Sequence, residues 1–154
     1  MTKYIHAFSD PITDEIDQSL IGNKGYNLCL MHGMDLPIPE GFIITSKATK
    51  EFKKKNNFGD GFINELKANL NSIQEKTKLE VGNPEKPLIL SVRSGSVISM
   101  PGMLDTILNV GLNQNIVKKL AENKSGFFAY DTWRRFIQMY SHVVHRIDNY
   151  DFDE

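Results

Sequence analysis

The stretch Ser91–Thr106, SVRSGSVISMPGMLDT, narrows what this chain can fold into more than any other. The apolar run Leu88-Ile89-Leu90 ahead of it reads as a buried strand, and Thr106–Val110 behind it reads as another. The interior, with Gly95, Pro101 and Gly102 among serines, must then be a loop between strands. Arg93 is delivered to the edge of that loop beside the hydroxyls of Ser91, Ser94, Ser96 and Ser99. Such a loop suits phosphate: arginine supplies a forked, permanently charged donor, and glycine lets the main chain approach.

The chain has 154 residues and 40% apolar side chains, enough for one ordinary domain with a real core, or for a large piece of a bigger protein. A formal charge of −1 removes the usual electrostatic argument for nucleic acid. Cys29 is the one cysteine, which excludes an internal disulfide and a cysteine-rich metal site and fits a reducing cytoplasm. No apolar run approaches the ~20 residues that a membrane span requires, and the first ten residues lack the apolar centre of a signal peptide.

Strands are expected over Tyr4–Phe8 and Gly41–Thr45, the second following Pro37 and Pro39, which exclude helix from the turn between Leu36 and Gly41. Asp10–Ser19 reads as a surface loop and Gly25–Met34 as a helix. Ser46 caps a lysine-rich helix through about Lys55, and Asp60 caps another with Phe62, Ile63, Leu66, Leu70 and Ile73 on one face. Lys78–Pro87 is a turn-rich connection, Asn113–Glu122 a short helix, and Ser125–Ile147 the longest helix, with Phe128, Trp133, Phe136, Ile137, Tyr140, Val144 and Ile147 as its apolar stripe. The mixture lacks strict strand–helix alternation, so the class is α+β. The expected organisation is residues 1–112 with the phosphate loop, a helical segment over 113–147, and an acidic tail or truncation point over 148–154.

A second motif is Gly22-Asn23-Lys24-Gly25, which places Lys24 near a helix N-terminus, where the backbone dipole favours anions. Taken alone, the tetrapeptide also reads as a capped turn with a solvated lysine. Arg93 behind a buried strand demands an anion, which a ligand phosphate or the Asp105 carboxylate would supply equally well. Met100 and Met103, flanking Pro101-Gly102, suit either an apolar cover over a nucleotide or gap-filling in a core. Asp105 could orient Arg93, touch a metal or cap the next element. Arg134 and Arg135 form the basic edge of an aromatic stripe, and His6, His32, His142 and His145 share no metal-ligand spacing.

The stretches GNKGYNL, LPIPEGFIIT, LSVRSGSVISMPGMLDTILNVGL and FFAYDTWRRFIQMY, in this order, resemble the amino-terminal end of the pyruvate, phosphate dikinases. The SMPGMLDT segment separates that family from the phosphoenolpyruvate synthases. The resemblance implies the first part of an ATP-grasp type nucleotide-binding domain, with a mixed or antiparallel sheet, packed helices and a long C-terminal helix. It implies an enzyme converting ATP, phosphate and pyruvate to AMP, pyrophosphate and phosphoenolpyruvate through a phosphohistidine on a separate domain, with Mg2+ required. Lys24 and Arg93 become the phosphate-contacting, catalytic cations. Gly95, Ser96, Ser99, Met100, Pro101, Gly102, Met103 and Asp105 become the loop over the nucleotide.

Two residues depart from the family pattern: Asn23 stands where a second glycine is common, and Tyr26 where a small residue is. The family's metal-binding carboxylates and accepting histidine are expected beyond Glu154. The chain is therefore expected to be cytoplasmic, monomeric and inactive alone. Its expected partners are ATP and the remaining dikinase domains, without nucleic acid or membrane. The alternatives are a non-catalytic nucleotide-binding or interaction module from a split gene and a synthase-like phosphotransferase.

Overall fold

The structure, a computed structural model, describes residues 3–95 and 106–147. Its described residues are mixed α+β, with five α-helices and two small antiparallel sheets. Contacts divide the chain into two compact units, one built on residues 3–77 and one on 78–94 with 106–147.

In the first unit, β1 (Ile5–Ala7) pairs antiparallel with β2 (Phe42–Ile44), with Ile5 opposite Ile44 and His6 opposite Ile43. Both faces of β1 are covered, since Ile5 and His6 point to opposite sides of a strand yet both are buried. Ile5, Ala48 of α2 (Ser46–Lys55) and Phe62 of α3 (Asp60–Thr77) form the core, with Tyr4, Phe42, Ile63 and Leu66 packed against it. The rings of Phe52, Phe58 and Phe62 stack in sequence at 4.4 Å centroid spacing, joining α2 to α3. Glu65 ties α3 to the strand: its carboxylate accepts the backbone N–H groups of Tyr4 (2.7 Å) and Ile5 (2.9 Å).

Helix α1 (Gln18–Gly33) starts earlier than the apolar periodicity indicates. Asp17 is its N-cap, and its side chain accepts from the Leu20 N–H at 2.9 Å. The Ser19 hydroxyl and that N–H together hold the Asp17 carboxyl below its ordinary range. Two further helix starts differ from expectation. Thr45, not Ser46, is the extended residue preceding α2, without a side-chain cap, and Asp60 is the first residue of α3 rather than its cap.

The second unit holds a hairpin of β3 (Leu90–Arg93) and β4 (Thr106–Val110), then α4 (Gln114–Asn123) and α5 (Gly126–Tyr140). The hairpin register shifts by one residue between Leu90 and Val92, a bulge that brings Arg93 opposite Thr106. Asn113 caps α4 by accepting from the Ile116 N–H at 3.0 Å. Leu88, Ile116, Val117 and Ala129 are buried. The run Leu88-Ile89-Leu90 is not a buried strand: Leu88 alone of the three is buried, held by its N–H to the Glu80 carbonyl, and the strand begins at Leu90.

The last helix is shorter than expected. It ends at Tyr140 in a single π-helical turn, Ser141–His145, and the longest described helix is α3. Arg146, in the left-handed region at φ 57°, closes that turn. The apolar stripe of α5 is largely uncovered, with Phe128 at 55% exposure and Tyr140 at 40%.

Candidate functional site

Three features of the chain set the position of Lys24. Gly22 interrupts α1 with φ 72° and ψ 159°, a conformation open to glycine and strained for other residues. The helical path resumes behind it, so Lys24 falls in the first turn of the resumed segment. Gly25 is buried where α1 crosses β2, and a Cβ there would lie 2.8 Å from Ile43 Cδ1. The second glycine of the motif thus serves close packing rather than loop freedom. Lys24 itself is exposed and makes no ion pair among the described residues. Its surroundings are a helix start and a free ammonium, which together can receive an anionic oxygen.

Arg93 ends β3, with Thr106 across the hairpin. It is exposed, so the expectation of an arginine forced out of water behind a buried strand is corrected. Its guanidinium meets no carboxylate among the described residues. The hairpin pins both ends of the serine-rich motif, Arg93 at one and Thr106 at the other. Gly95 is exposed, and no atom of the described residues lies within 4 Å of where its Cβ would be. Ser96, Ser99, Met100, Pro101, Gly102, Met103 and Asp105 lie outside the described residues.

Arg134 and Arg135 are engaged with a single carboxylate. Arg134 Nη2 reaches Asp131 Oδ1 at 3.1 Å, and Arg135 Nε reaches Asp131 Oδ2 at 2.8 Å. The hydrogen bond from Arg134, joined by that from Arg135, holds the Asp131 carboxyl below its ordinary range. Arg134 also donates to Gln138 Oε1, so its fork is used within its own helix. Lys53, Lys54 and Lys55 form a solvated face, with Lys55 paired to Glu51 at 2.7 Å. Cys29 is buried, and burial pushes its thiol up.

A polar group that sequence spacing missed is His6. It is 2% exposed, and among the described residues neither ring nitrogen finds a hydrogen-bond partner of good geometry. Asp10 is near through both its main chain and its carboxylate, the latter 3.9 Å from Nδ1, without completing a hydrogen bond. Burial pushes the imidazole below its ordinary value. The side-chain oxygen of Thr45 is likewise buried and without a hydrogen-bond partner among the described residues.

Comparison with known proteins follows the same lines as the motifs. The family described as pyruvate phosphate dikinase, AMP/ATP-binding domain, matches residues 18–79, which include Lys24 and the whole of α1, α2 and β2. A pyruvate, phosphate dikinase of Entamoeba histolytica is 40% identical over 97% of this chain and 17% of its own length. The chloroplastic enzyme of Flaveria trinervia is 43% identical over 89% of this chain and 14% of its own length. The pyruvate, phosphate dikinase of Rickettsia prowazekii is 41% identical over 100% of this chain and 18% of its own length. The chain therefore spans about a sixth of the length of the curated relatives it matches. Residues 18–79 are thus similar to the AMP/ATP-binding domain of that family, and nearly the whole chain is similar to a part of these relatives.

Proposed function

We propose that this chain is the ATP-binding portion of a pyruvate, phosphate dikinase, with the topology of an incomplete ATP-grasp domain. The whole enzyme would convert ATP, phosphate and pyruvate to AMP, pyrophosphate and phosphoenolpyruvate, through a histidine carried on another domain. The observation that supports this best is identity of about two-fifths across nearly the whole chain. In this reading Lys24 offers a point charge at a helix start, and Arg93 offers a forked pair of donors to phosphate oxygens. Gly95, Ser96, Ser99, Met100, Pro101, Gly102, Met103 and Asp105 line the nucleotide. Phosphoryl transfer relies on positioning charged oxygens and neutralising developing charge, and both cations suit that task.

The described residues do not fit a magnesium site, since no three carboxylate, histidine or cysteine side chains among them gather closely enough to hold an ion. No step is therefore routed through the metal, which enters this proposal with the complete enzyme. The partners are ATP and the remaining dikinase domains. The buried Cys29 thiol supports a reducing compartment such as the cytoplasm. Among the described residues no helix is long and apolar enough to cross a membrane.

The test uses the 154-residue chain in two assays, calorimetry with ATP and an assay for AMP formed in the presence of pyruvate and phosphate. ATP is expected to bind, and no pyruvate-dependent AMP is expected to form. Silence toward ATP would overturn the nucleotide-binding reading, and AMP production would overturn the dependence on other domains.

A further inference from the structure

The two-stranded sheet of the first unit has one stopped edge and one open edge. The Thr45 N–H donates to the Tyr4 carbonyl at 2.9 Å and the Phe8 N–H to the Gly41 carbonyl at 3.0 Å, so alternation puts the other inward main-chain groups on His6 and Ile43. Those of Ile5 and Ala7 on β1, and of Phe42 and Ile44 on β2, therefore point away from the pair. On β1 carboxylates stop the outer edge: Glu65 accepts the Ile5 N–H at 2.9 Å and Asp10 the Ala7 N–H at 3.0 Å. On β2 no described residue bonds to the N–H or C=O of Phe42 or Ile44, and Ile44 is 47% exposed beside them. Nor does Phe42–Ile44 carry a proline, a bulge or a charged side chain, the usual protections of an open edge. We propose that β2 pairs antiparallel with β2 of a second copy of this chain, about a two-fold axis through Ile43, joining the two sheets in the order β1-β2-β2-β1. This inference does not depend on the nucleotide reading, and it replaces the monomer expected from the sequence.

Three features of β2 favour a copy of itself as the occupant. Hydrogen bonding closes without remainder: Phe42 opposite Ile44 of the second copy, and Ile44 opposite its Phe42, pairs every outward N–H with an outward C=O. Side chains agree as well. A two-fold axis normal to the sheet keeps the core faces of both copies on one side, so the exposed Ile44 packs on Phe42 of the second copy and leaves water. The flanking charges are also self-complementary. Glu40 precedes β2 and Lys47 follows it. Glu40 Oε2 meets Lys76 Nζ at 2.9 Å, which leaves Oε1, and Lys47 is unpaired among the described residues. Antiparallel pairing lays the Glu40 end of each copy beside the Lys47 end of the other, whereas parallel pairing would set like charges together. A strand from another protein would have to reproduce this charge order, which β2 itself supplies.

So short a strand pair makes a small interface, below the roughly 1,200 Å² of stable complexes, and weak association is expected. Sedimentation equilibrium of the 154-residue chain up to about 1 mM should show monomer and dimer with Kd on the order of 0.3 mM. At the upper concentration the amides of Phe42 and Ile44 should exchange with solvent about threefold more slowly than in dilute solution, because most copies are then paired. A mixture of 13C-labelled and unlabelled chain should give an intermolecular NOE between the Ile43 Hα atoms, which face one another at the non-hydrogen-bonded position on the axis. Ile44→Lys should weaken association at least about tenfold by charging the edge. Phe127→Ser, at the 85%-exposed position on α5, should leave it unchanged. A monomer throughout, association lost in Phe127→Ser but kept in Ile44→Lys, or a dimer without slowed exchange at Phe42 and Ile44 would each overturn the proposal. Should Ile44→Lys fail to fold, the NOE and the exchange rates of the parent chain still decide it.

Discussion

Gly25 of α1 lies directly against Ile43 of β2, so closely that a Cβ on the glycine would sit 2.8 Å from Ile43 Cδ1 and 3.0 Å from Cγ1. The contact carries the helix bearing Lys24 onto the strand that pairs with β1. Gly25→Ala gains up to about 1 kcal/mol of helix propensity, but overpacking costs roughly 1–3 kcal/mol. A net loss near 1 kcal/mol is expected in urea denaturation. Ile43→Val removes the nearest carbon, so the double variant should be at least about 0.5 kcal/mol more stable than the sum of the single effects. Simple additivity would show that the two residues do not press on one another.

Gly111 in the second unit is constrained twice. Its φ is 111°, and a Cβ would stand 2.7 Å from the Leu88 carbonyl oxygen, a backbone atom that has little room to yield. Gly111→Ala is expected to cost about 2–4 kcal/mol, combining backbone strain with steric overlap. Denaturant unfolding measures this, and a loss below about 0.5 kcal/mol would contradict the tight approach of β4's end to Leu88.

His6 gives the first unit a defined pH response. Its folded value lies below the ordinary 6.5, chiefly through burial, with the Lys3 charge adding to the shift and Asp10 opposing it. The unfolded chain therefore binds the proton more readily. Stability should be full above about pH 6.5 and fall as the pH drops from there through the lower folded value. Asp10 acts in a separate, more acidic window. Burial raises its carboxyl, but hydrogen bonds from Lys3 and the Ala7 N–H outweigh that and hold it below 3.8. Its contribution is present above that value and disappears as the pH falls through the folded one. Denaturation midpoints measured across pH 5–8 (~the range in which histidine titrates) should decline toward acid, and His6→Gln should flatten the profile. An equally steep decline in that variant would assign the effect to another group.

Much of the local structure was legible because it rests on short-range rules. Thr106–Val110 and the span of α2 follow from composition and breakers, and α3 follows from the period of Phe62, Leu66 and Ile73. The first turn of α1 was not legible, because Gly22 breaks the apolar period between Leu20-Ile21 and the rest of the helix, and the turn is started by the Asp17 cap. The stripe on α5 shows the limit of periodicity, which reveals that a face is apolar but not whether a neighbour covers it. His6 escaped notice because alternation along β1 implies one buried face, whereas both faces are packed. Of the candidate site, Lys24 and its glycines stood out as a motif. The steric duties of Gly22 and Gly25 needed coordinates, since positive φ and a 2.8 Å approach leave no distinct mark in composition.

The most direct test of the central claim is calorimetric titration of ATP into the 154-residue chain and into its Lys24→Ala and Arg93→Ala variants. Both side chains are exposed, so each truncation should leave the thermal unfolding midpoint nearly unchanged. Each should weaken ATP binding about tenfold or more, the worth of one charge-assisted contact to phosphate. Equal affinity for ATP in the parent chain and both variants would contradict the account.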